Sequence, residues 1–297
     1  MTSTASEQKR LEIKGMWLGF AGVAIFSLTL PFTRLAVAEL HPIFVAMGRA
    51  VVAAVLAGLL MWLQKARLPQ RSELKPLFIT AVGVVLGFPL LSTLAMQHVA
   101  AAHGAIVLGI LPLATALFAA LRFHERPSIG FWCMAALGSA LVLAFALTQG
   151  AGRLSWADIA LFGAVILAAM GYAEGGRLAQ TIGGLQVIAW ALILISPVTL
   201  SLTLWAWWQF GAHASAAAWG GFAYVSVFSM FIGFLFWYKG LATGGIARVG
   251  QVQLLQPFLS LLGASLIVGE SLNMTNLVFA AAVIGTVSLG RQMKIHR

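Results

Sequence analysis

Ten long apolar stretches occupy most of the sequence, and only short connections separate them. A membrane-spanning helix needs about 20 mainly apolar residues. Inside a bilayer the backbone polar groups must be paired within the protein, and a helix of this length pairs its own. The sequence therefore predicts ten transmembrane helices, at residues 15–36, 42–63, 75–96, 103–122, 128–148, 156–177, 184–208, 216–240, 246–268 and 274–290.

The composition agrees with lipid as the main solvent. Hydrophobic residues make up 61% of the chain and charged residues only 9%, whereas soluble chains carry about a quarter. The one cysteine, Cys133, excludes an intrachain disulfide and any cysteine-rich metal site. We expect neither a metal nor a cofactor.

The distribution of Lys and Arg predicts the orientation. If the N-terminus is cytoplasmic, 15 of the 18 basic residues lie on that side, and only Arg34, Arg49 and Arg153 do not. Positive residues favour the cytoplasmic side. We expect both termini in the cytoplasm of a bacterial-type inner (plasma) membrane. The net charge of +10 then reflects topology and does not indicate a nucleic-acid partner.

Two segments of the chain repeat each other 145 positions apart. Residues 107–125 read VLGILPLATALFAALRFHE, and residues 252–270 read VQLLQPFLSLLGASLIVGE. Each carries a proline 13 positions before a glutamate. The matching pairs are Pro112 with Pro257 and Glu125 with Glu270. The glutamates are expected at opposite faces, where they order loops or helix ends.

The duplication is predicted to be an inversion. Arg34-Leu35-Ala36 ends span 1 and Arg177-Leu178-Ala179 ends span 6, so the repeated unit has five spans. Because five is odd, the second copy enters the membrane from the other side. The expected fold is all-α, with two inverted five-helix repeats around a central cavity that holds the substrate. The expected units are residues 1–14 (tail), 15–148, 156–290 and 291–297 (tail).

The repeated Pro…Glu pattern resembles that of the drug/metabolite transporter superfamily, in its ten-span EamA branch. Phe32-Thr33-Arg34, His41-Pro42 and Arg49 are also similar to the family's first-repeat pattern. The resemblance covers nearly the whole chain and implies export or uptake of small metabolites. The aromatic content and span layout resemble the bacterial exporters of amino acids, including aromatic ones. The motifs themselves say little about substrate.

The two prolines are the first candidate site residues. A proline inside a helix frees the carbonyl four residues earlier, here those of Leu108 and Gln253. Freed carbonyls are tolerated at membrane depth where they face protein or a water-filled cavity. The functional interpretation is a pair of kinks at Pro112 and Pro257 that border the cavity. Simple bending for packing is the alternative.

Polar and aromatic stripes supply further candidates. Gln253, Gln256 and Ser260 share one face of span 9, and amides suit a zwitterionic or neutral polar substrate. Interhelical hydrogen bonding is the alternative. Span 8 offers Ser229 and Trp237. Span 3 offers Phe88, Ser92 and Met96, for which packing is the alternative.

Arg49 is a charged candidate inside span 2, roughly 10 Å from its start by helix rise. Three roles are open to it. It can bind a substrate carboxylate, snorkel outward, or satisfy a broken helix terminus. Because the family pattern has an arginine here for varied substrates, a structural role is favoured.

None of the eight acidic residues falls at the centre of a span. Proton-coupled pumps commonly use intramembrane carboxylates or histidines, so transport is expected not to be obligatorily proton-driven. His98 and His103 are expected to be solvated loop-end residues, and Glu174 to pair with Arg177 on the same helix.

The leading hypothesis is an exporter of an amino acid-like small molecule, for which ten spans suffice as a monomer. A transporter of another metabolite or of a lipid carrier is the alternative. A membrane enzyme is less favoured, because no catalytic constellation appears at a common depth. A scaffold is less favoured, because it would have no reason to keep Gln and Pro at the midplane.

Overall fold

The computed structural model describes residues 2–122, 126–149, 153–244, 249, 252–292 and 295–296. Eight helices in this part of the chain are long and apolar enough to cross a membrane, and two shorter apolar helices follow them. The all-α fold with ten spans is thereby confirmed. The only strands among these residues are β1 (Arg126–Pro127) and β2 (Ile295–His296), which pair antiparallel.

We number the ten helices α1 to α10. The bounds are Thr2–Ser27 continued by Thr29–Val37 for α1, Pro42–Leu63 for α2, Arg71–Ala95 for α3, Ala101–Arg122 for α4, Ile129–Gln149 for α5, Trp156–Ile182 for α6, Gly184–Phe210 for α7, Ala216–Gly244 for α8, Gln253–Val268 for α9 and Met274–Gln292 for α10.

Several helices begin at side chains suited to capping. His41 Nδ1 accepts a hydrogen bond from the Ile43 amide at the start of α2, and Pro42 occupies the first turn. Ser155 and Asp158 form a capping box at the start of α6. Such residues pair amides that have no partner inside the helix, so the chain enters these helices at defined positions.

Besides the break of α1 at Leu28, four helices depart from regular α geometry, and these four do so in matching pairs. α3 contains a π-helical segment at Ala81–Gly87, and α8 contains one at Tyr224–Ile232. α4 is interrupted between Leu108 and Leu111, and α9 opens with a 3₁₀ turn just before Gln256. The sites in each pair lie 143 to 145 positions apart, so the duplication extends to backbone irregularity.

The two repeats are intertwined. α1 of the first repeat packs against α8 of the second, α2 against α7, α3 against α6, and α5 against α10. Glycines bring α1 and α8 close: a Cβ on Gly15 would lie 2.4 Å from the Gly244 Cα, and one on Gly240 would lie 2.7 Å from the Gly19 nitrogen. Small residues permit such approach in membranes. The repeats are therefore not two separable halves.

Candidate functional site

A cavity of about 30 Å³ lies between helices of both repeats, with room for about two water molecules. Seven helices line it. The lining residues are Phe26, Thr29 and Leu30 of α1, Arg49 of α2, Val84 and Phe88 of α3, Ala105, Leu108, Leu111 and Pro112 of α4, Tyr172 of α6, Ser229 and Phe234 of α8, and Gln253, Gln256, Pro257 and Ser260 of α9.

Arg49 is the charged group of this lining and is only 1% exposed. Its Nη2 donates to Ser229 Oγ at 3.0 Å, and Ser229 Oγ lies 2.8 Å from Thr29 Oγ1. Its Nε and Nη1 have no hydrogen-bond partner among the described residues. Burial this complete rules out snorkelling and leaves the Nε and Nη1 donors without an acceptor among the described residues.

The polar wall of the cavity comes mainly from the second repeat. Gln253 is 4% exposed, and its Nε2 has no partner in the described part of the chain. Gln256 follows on the same face. The equivalent positions of the first repeat, 145 residues earlier, are Leu108 and Leu111, which also line the cavity. Ser229 and Val84 are likewise equivalent positions 145 residues apart, and each lies inside a π-helical segment and lines the cavity.

Two helices of the first repeat give the cavity an apolar surface. α3 and α4 contribute only apolar side chains to the described lining, with Val84, Phe88, Leu108 and Leu111 as the larger ones. A ligand larger than two water molecules requires this cavity to widen, and the widened cavity would offer it both polar and apolar contacts. This distribution of polar and apolar side chains suits an amphipathic small molecule.

Nine of the twelve predicted site residues line this cavity. They are Arg49, Phe88, Leu108, Pro112, Ser229, Gln253, Gln256, Pro257 and Ser260. α4 is interrupted and α9 has its 3₁₀ turn where the prolines predicted kinks. That these side chains bind substrate stays a prediction.

Ser92, Met96 and Trp237 do not line the cavity, and the reason is their depth along the helix. Ser92 lies one turn beyond Phe88, about 6 Å by helix rise, and its hydroxyl donates to the Phe88 carbonyl at 2.6 Å. Met96 lies a further turn away and is fully buried. The Trp237 ring packs behind two lining residues, with its centroid 6.4 Å from Phe26 and 6.1 Å from Tyr172.

The sequence prediction overlooked the contribution of α1 and α6. Thr29 faces the cavity from α1, and Tyr172 faces it from α6. The match of Arg34 with Arg177, 143 positions apart, pairs Thr29 with Tyr172. Mapping the two repeats onto each other at that offset could have found both residues.

No Asp, Glu or His appears in the described lining. His103 is instead buried, 8% exposed, with its Nε2 2.7 Å from Asp158 Oδ1. The expectation that His103 is solvated was therefore wrong, because α6 packs over the first turn of α4. Glu174 lies 2.5 Å from the Nε of Arg122, so a helix of the first repeat supplies it with an ion-pair partner.

Carboxylates link the repeats at the face where α4 and α8 begin, which we call the opposite face; the basic face is the one that carries the N-terminus. Glu270 accepts hydrogen bonds from the amides of Ala101 and Ala102 at 2.7 and 2.8 Å. Its expected role in ordering a helix end is therefore confirmed. Glu125, for which we expect the same, lies outside the described residues.

Glu39 makes a similar link at the opposite face. It accepts hydrogen bonds from the Ser215 amide at 2.7 Å and hydroxyl at 2.6 Å, just before α8. These bonds hold the pKa of the Glu39 carboxyl below its ordinary value. Glu39 belongs to the first repeat and Ser215 to the second, so this contact also joins the two copies.

Comparisons with known proteins agree with this architecture. The model of the EamA-like transporter family matches residues 13–147 and 155–290. An uncharacterized transporter of Bacillus subtilis (strain 168), YdeK, is 47% identical, with 93% of this chain and 96% of YdeK covered. A second uncharacterized transporter of that bacterium, YyaM, is 25% identical, with 93% and 92% covered.

A solved structure shares the fold. It superposes with a TM-score of 0.63 over 93% of this chain and 95% of the other, at 16% identity. The two matched segments, the paired irregularities of α3 with α8 and of α4 with α9, and the shared cavity all describe one duplicated architecture. The chain belongs to the EamA-like transporter family, within the drug/metabolite transporter superfamily, and is a multi-pass membrane transporter.

Proposed function

We propose that this transporter exports amino acids with aromatic or other apolar side chains, by alternating access between its inverted repeats. The observation that carries the proposal is the cavity between the repeats, bordered by α4 and α9 at their matching interruptions. Interrupted helices at equivalent places in two inverted halves are typical of transporter binding sites.

The packing of the helices supports a specific form of alternating access. Inverted repeats can exchange conformations, so one access state implies the other. Here α1 packs against α8 and α3 against α6. The bodies that move are therefore expected to contain helices of both repeats, and they are not the two halves of the chain. We assign the repeats to residues 15–148 and 156–290.

The chemistry of the lining supports an amino acid-like substrate. One guanidinium, two amides and four hydroxyl-bearing side chains (Thr29, Tyr172, Ser229 and Ser260) line the cavity. A polyamine would need carboxylates, and the described lining has none. A polyanion would need several cations, and Arg49 is the one in this lining. A zwitterion with an apolar side chain suits both walls.

Counterflow in proteoliposomes tests this function. Vesicles containing the purified protein are loaded with one unlabelled amino acid at a time, and uptake of the labelled form is followed. We expect accumulation above that of protein-free vesicles for several apolar amino acids, without an imposed pH gradient. Flux that requires a pH gradient would refute the absence of obligatory proton coupling, and no flux for any amino acid would refute the substrate class.

Labelling tests the proposed orientation, in which both termini are cytoplasmic in a bacterial-type inner membrane. Replacing Cys133 by Ser gives a cysteine-free background, since the chain has one cysteine. A single cysteine replacing Ser72, in the first turn of α3 at the basic face, should resist an impermeant maleimide in intact cells and react after permeabilisation. A cysteine replacing Ala214, before α8, should react in intact cells. The reverse result would invert the topology.

A further inference from the structure

We infer that Arg49 binds the carboxylate of the substrate through its Nε or its Nη1 and so sets a requirement for a carboxylate. This inference rests on the proposed function and names the group by which the same cavity recognises its substrate. Nε and Nη1 lie on different edges of the guanidinium, so one carboxylate accepts a charge-assisted hydrogen bond from one of them at a time.

The geometry around Arg49 leaves that pair of donors for a ligand. Nη2 is occupied by Ser229 Oγ at 3.0 Å, and Ser229 is held in turn by Thr29 at 2.8 Å. This chain of contacts links α2, α8 and α1 and fixes the guanidinium at the cavity. Nε and Nη1 are buried with no partner in the described part of the chain.

An arginine with a purely structural role would donate its hydrogen bonds to acceptors of the protein. Burying a cation without an acceptor is costly, so a structural role predicts carbonyl or carboxylate partners for Nε and Nη1. Among the described residues there are none. The π-helical segment of α8 places Ser229 at the cavity, and such segments are frequent at functional sites.

The rest of the lining orients the ligand. With its carboxylate at Arg49, the ligand meets Gln253 and Gln256, whose amide oxygens can accept from an ammonium group. The remaining wall consists of Val84, Leu108 and Leu111, which suits an apolar side chain. The substrate class is therefore an amphipathic monocarboxylate, with or without an amino group.

Matched ligand triads test this inference by binding alone. Thermal unfolding of the purified transporter is measured with phenylalanine, 2-phenylethylamine and 3-phenylpropionate, and with the corresponding triads of leucine and tryptophan. We expect the amino acids and the acids to raise Tm and the amines to leave it unchanged. Equal stabilisation by the amines, or none by any carboxylate, would overturn the inference.

Variants of Arg49 supply the second arm. Arg49→Gln should weaken carboxylate binding by at least about tenfold, the size of a charge-assisted hydrogen bond, and Arg49→Lys should weaken it less. Arg71→Gln, an exposed arginine at the start of α3, is the control and should bind as the native chain does. Carboxylate binding unchanged in Arg49→Gln would overturn the inference. If that variant does not fold, the triads and Arg49→Lys decide.

The outcome for the proposed function is read separately. If a sugar or an amine shows counterflow and no carboxylate does, the protein is a transporter but the inference about Arg49 is refuted. Arg49-dependent carboxylate binding without counterflow of any amino acid would support the inference while refuting the proposed substrate class.

Discussion

α4 and α9 are copies of one helix, yet they do different things at the cavity. Both are interrupted next to a proline, Pro112 in α4 and Pro257 in α9. α9 turns Gln253 and Gln256 to the cavity where α4 turns Leu108 and Leu111. The backbone break is common to both copies, whereas the side chains facing the cavity differ. Architecture is thus duplicated here and recognition is not.

This difference makes the lining of the cavity asymmetric, even though the helices around it are related by pseudo-symmetry. The π-helical segments of α3 and α8 show the same asymmetry, with Val84 lining the cavity in one copy and Ser229 in the other. A symmetric cavity would accept a ligand in two equivalent orientations. An asymmetric cavity binds the polar end of a ligand through hydrogen bonds from α8 and α9. It binds the apolar end through contacts with α3 and α4.

Making α9 resemble α4 should have the largest effect. We expect Gln253→Leu to lower counterflow by at least about tenfold, because a buried hydrogen-bonding group that contacts substrate is lost. Its Nε2 has no partner in the described chain, so Tm should not fall. The control is Gln97→Leu, at an exposed position after α3. A fall in Tm with normal flux would instead assign Gln253 to packing.

Making α4 resemble α9 should change selectivity. Leu108→Gln introduces an amide into the apolar part of the lining, so the ratio of glutamine to leucine flux should rise by about tenfold, the lower end of the range for a small change in a pocket. Competition counterflow with both labelled amino acids measures this ratio. A ratio equal to that of the native chain would show that Leu108 does not contact the substrate side chain.

Removing the hydrogen bonds that hold the start of α4 should lower the stability of the fold modestly. It should also increase access to the cavity from the opposite face. Glu270→Ala removes two hydrogen bonds to the amides of Ala101 and Ala102, at a cost of about 1–3 kcal/mol. A cysteine replacing Ala105 in the Cys133→Ser background should then react several-fold faster with a maleimide added at the opposite face.

The matched control for that experiment is Glu73→Ala. Glu73, in the first turn of α3, accepts hydrogen bonds from Arg67 in the connection before it. Both residues belong to the first repeat. The loss of Glu73 should leave the labelling rate unchanged. Equal acceleration in both variants would mean that Glu270 does not hold the opposite face closed.

The smallest expected effect concerns Glu39 at the start of α8. Hydrogen bonds from the Ser215 hydroxyl and amide lower its pKa from 4.5, so the contact stabilises the fold at neutral pH and is lost as the pH falls below about 4.5. Glu39→Gln should therefore flatten the decline of Tm between about pH 5 and pH 3.5. A decline identical to that of the native chain would assign the acid sensitivity to other groups.

The spans and the duplication were predictable because the bilayer fixes a helix length and sequence identity survives in the Pro…Glu segments. The amides of α9 were predictable as well, since Gln253 and Gln256 stand out in an apolar helix. The π-helical segments were not, because Ala81–Gly87 and Tyr224–Ile232 contain ordinary apolar residues. Their geometry arises from packing between helices.

The contacts between helices explain the remaining differences. Helix periodicity placed Ser92 on the same face as Phe88 but gave no information on where the cavity ends along that face. The partners of His103 and Glu174, Asp158 and Arg122, lie 55 and 52 residues away. Only tertiary structure reveals such pairs, whereas the pairing of Thr29 with Tyr172 was accessible through the repeat itself.

The glycine contacts between α1 and α8 have a consequence for biosynthesis. α1 leaves the ribosome well before α8, yet the face that carries Gly15 and Gly19 packs against Gly240 and Gly244. That partner is made only when most of the 297 residues have been translated. Until then the glycine face of α1 has only lipid or neighbouring helices against it. This transporter must therefore complete its tertiary structure after its helices have been inserted, and a nascent chain that stops before α8 leaves α1 without its main partner.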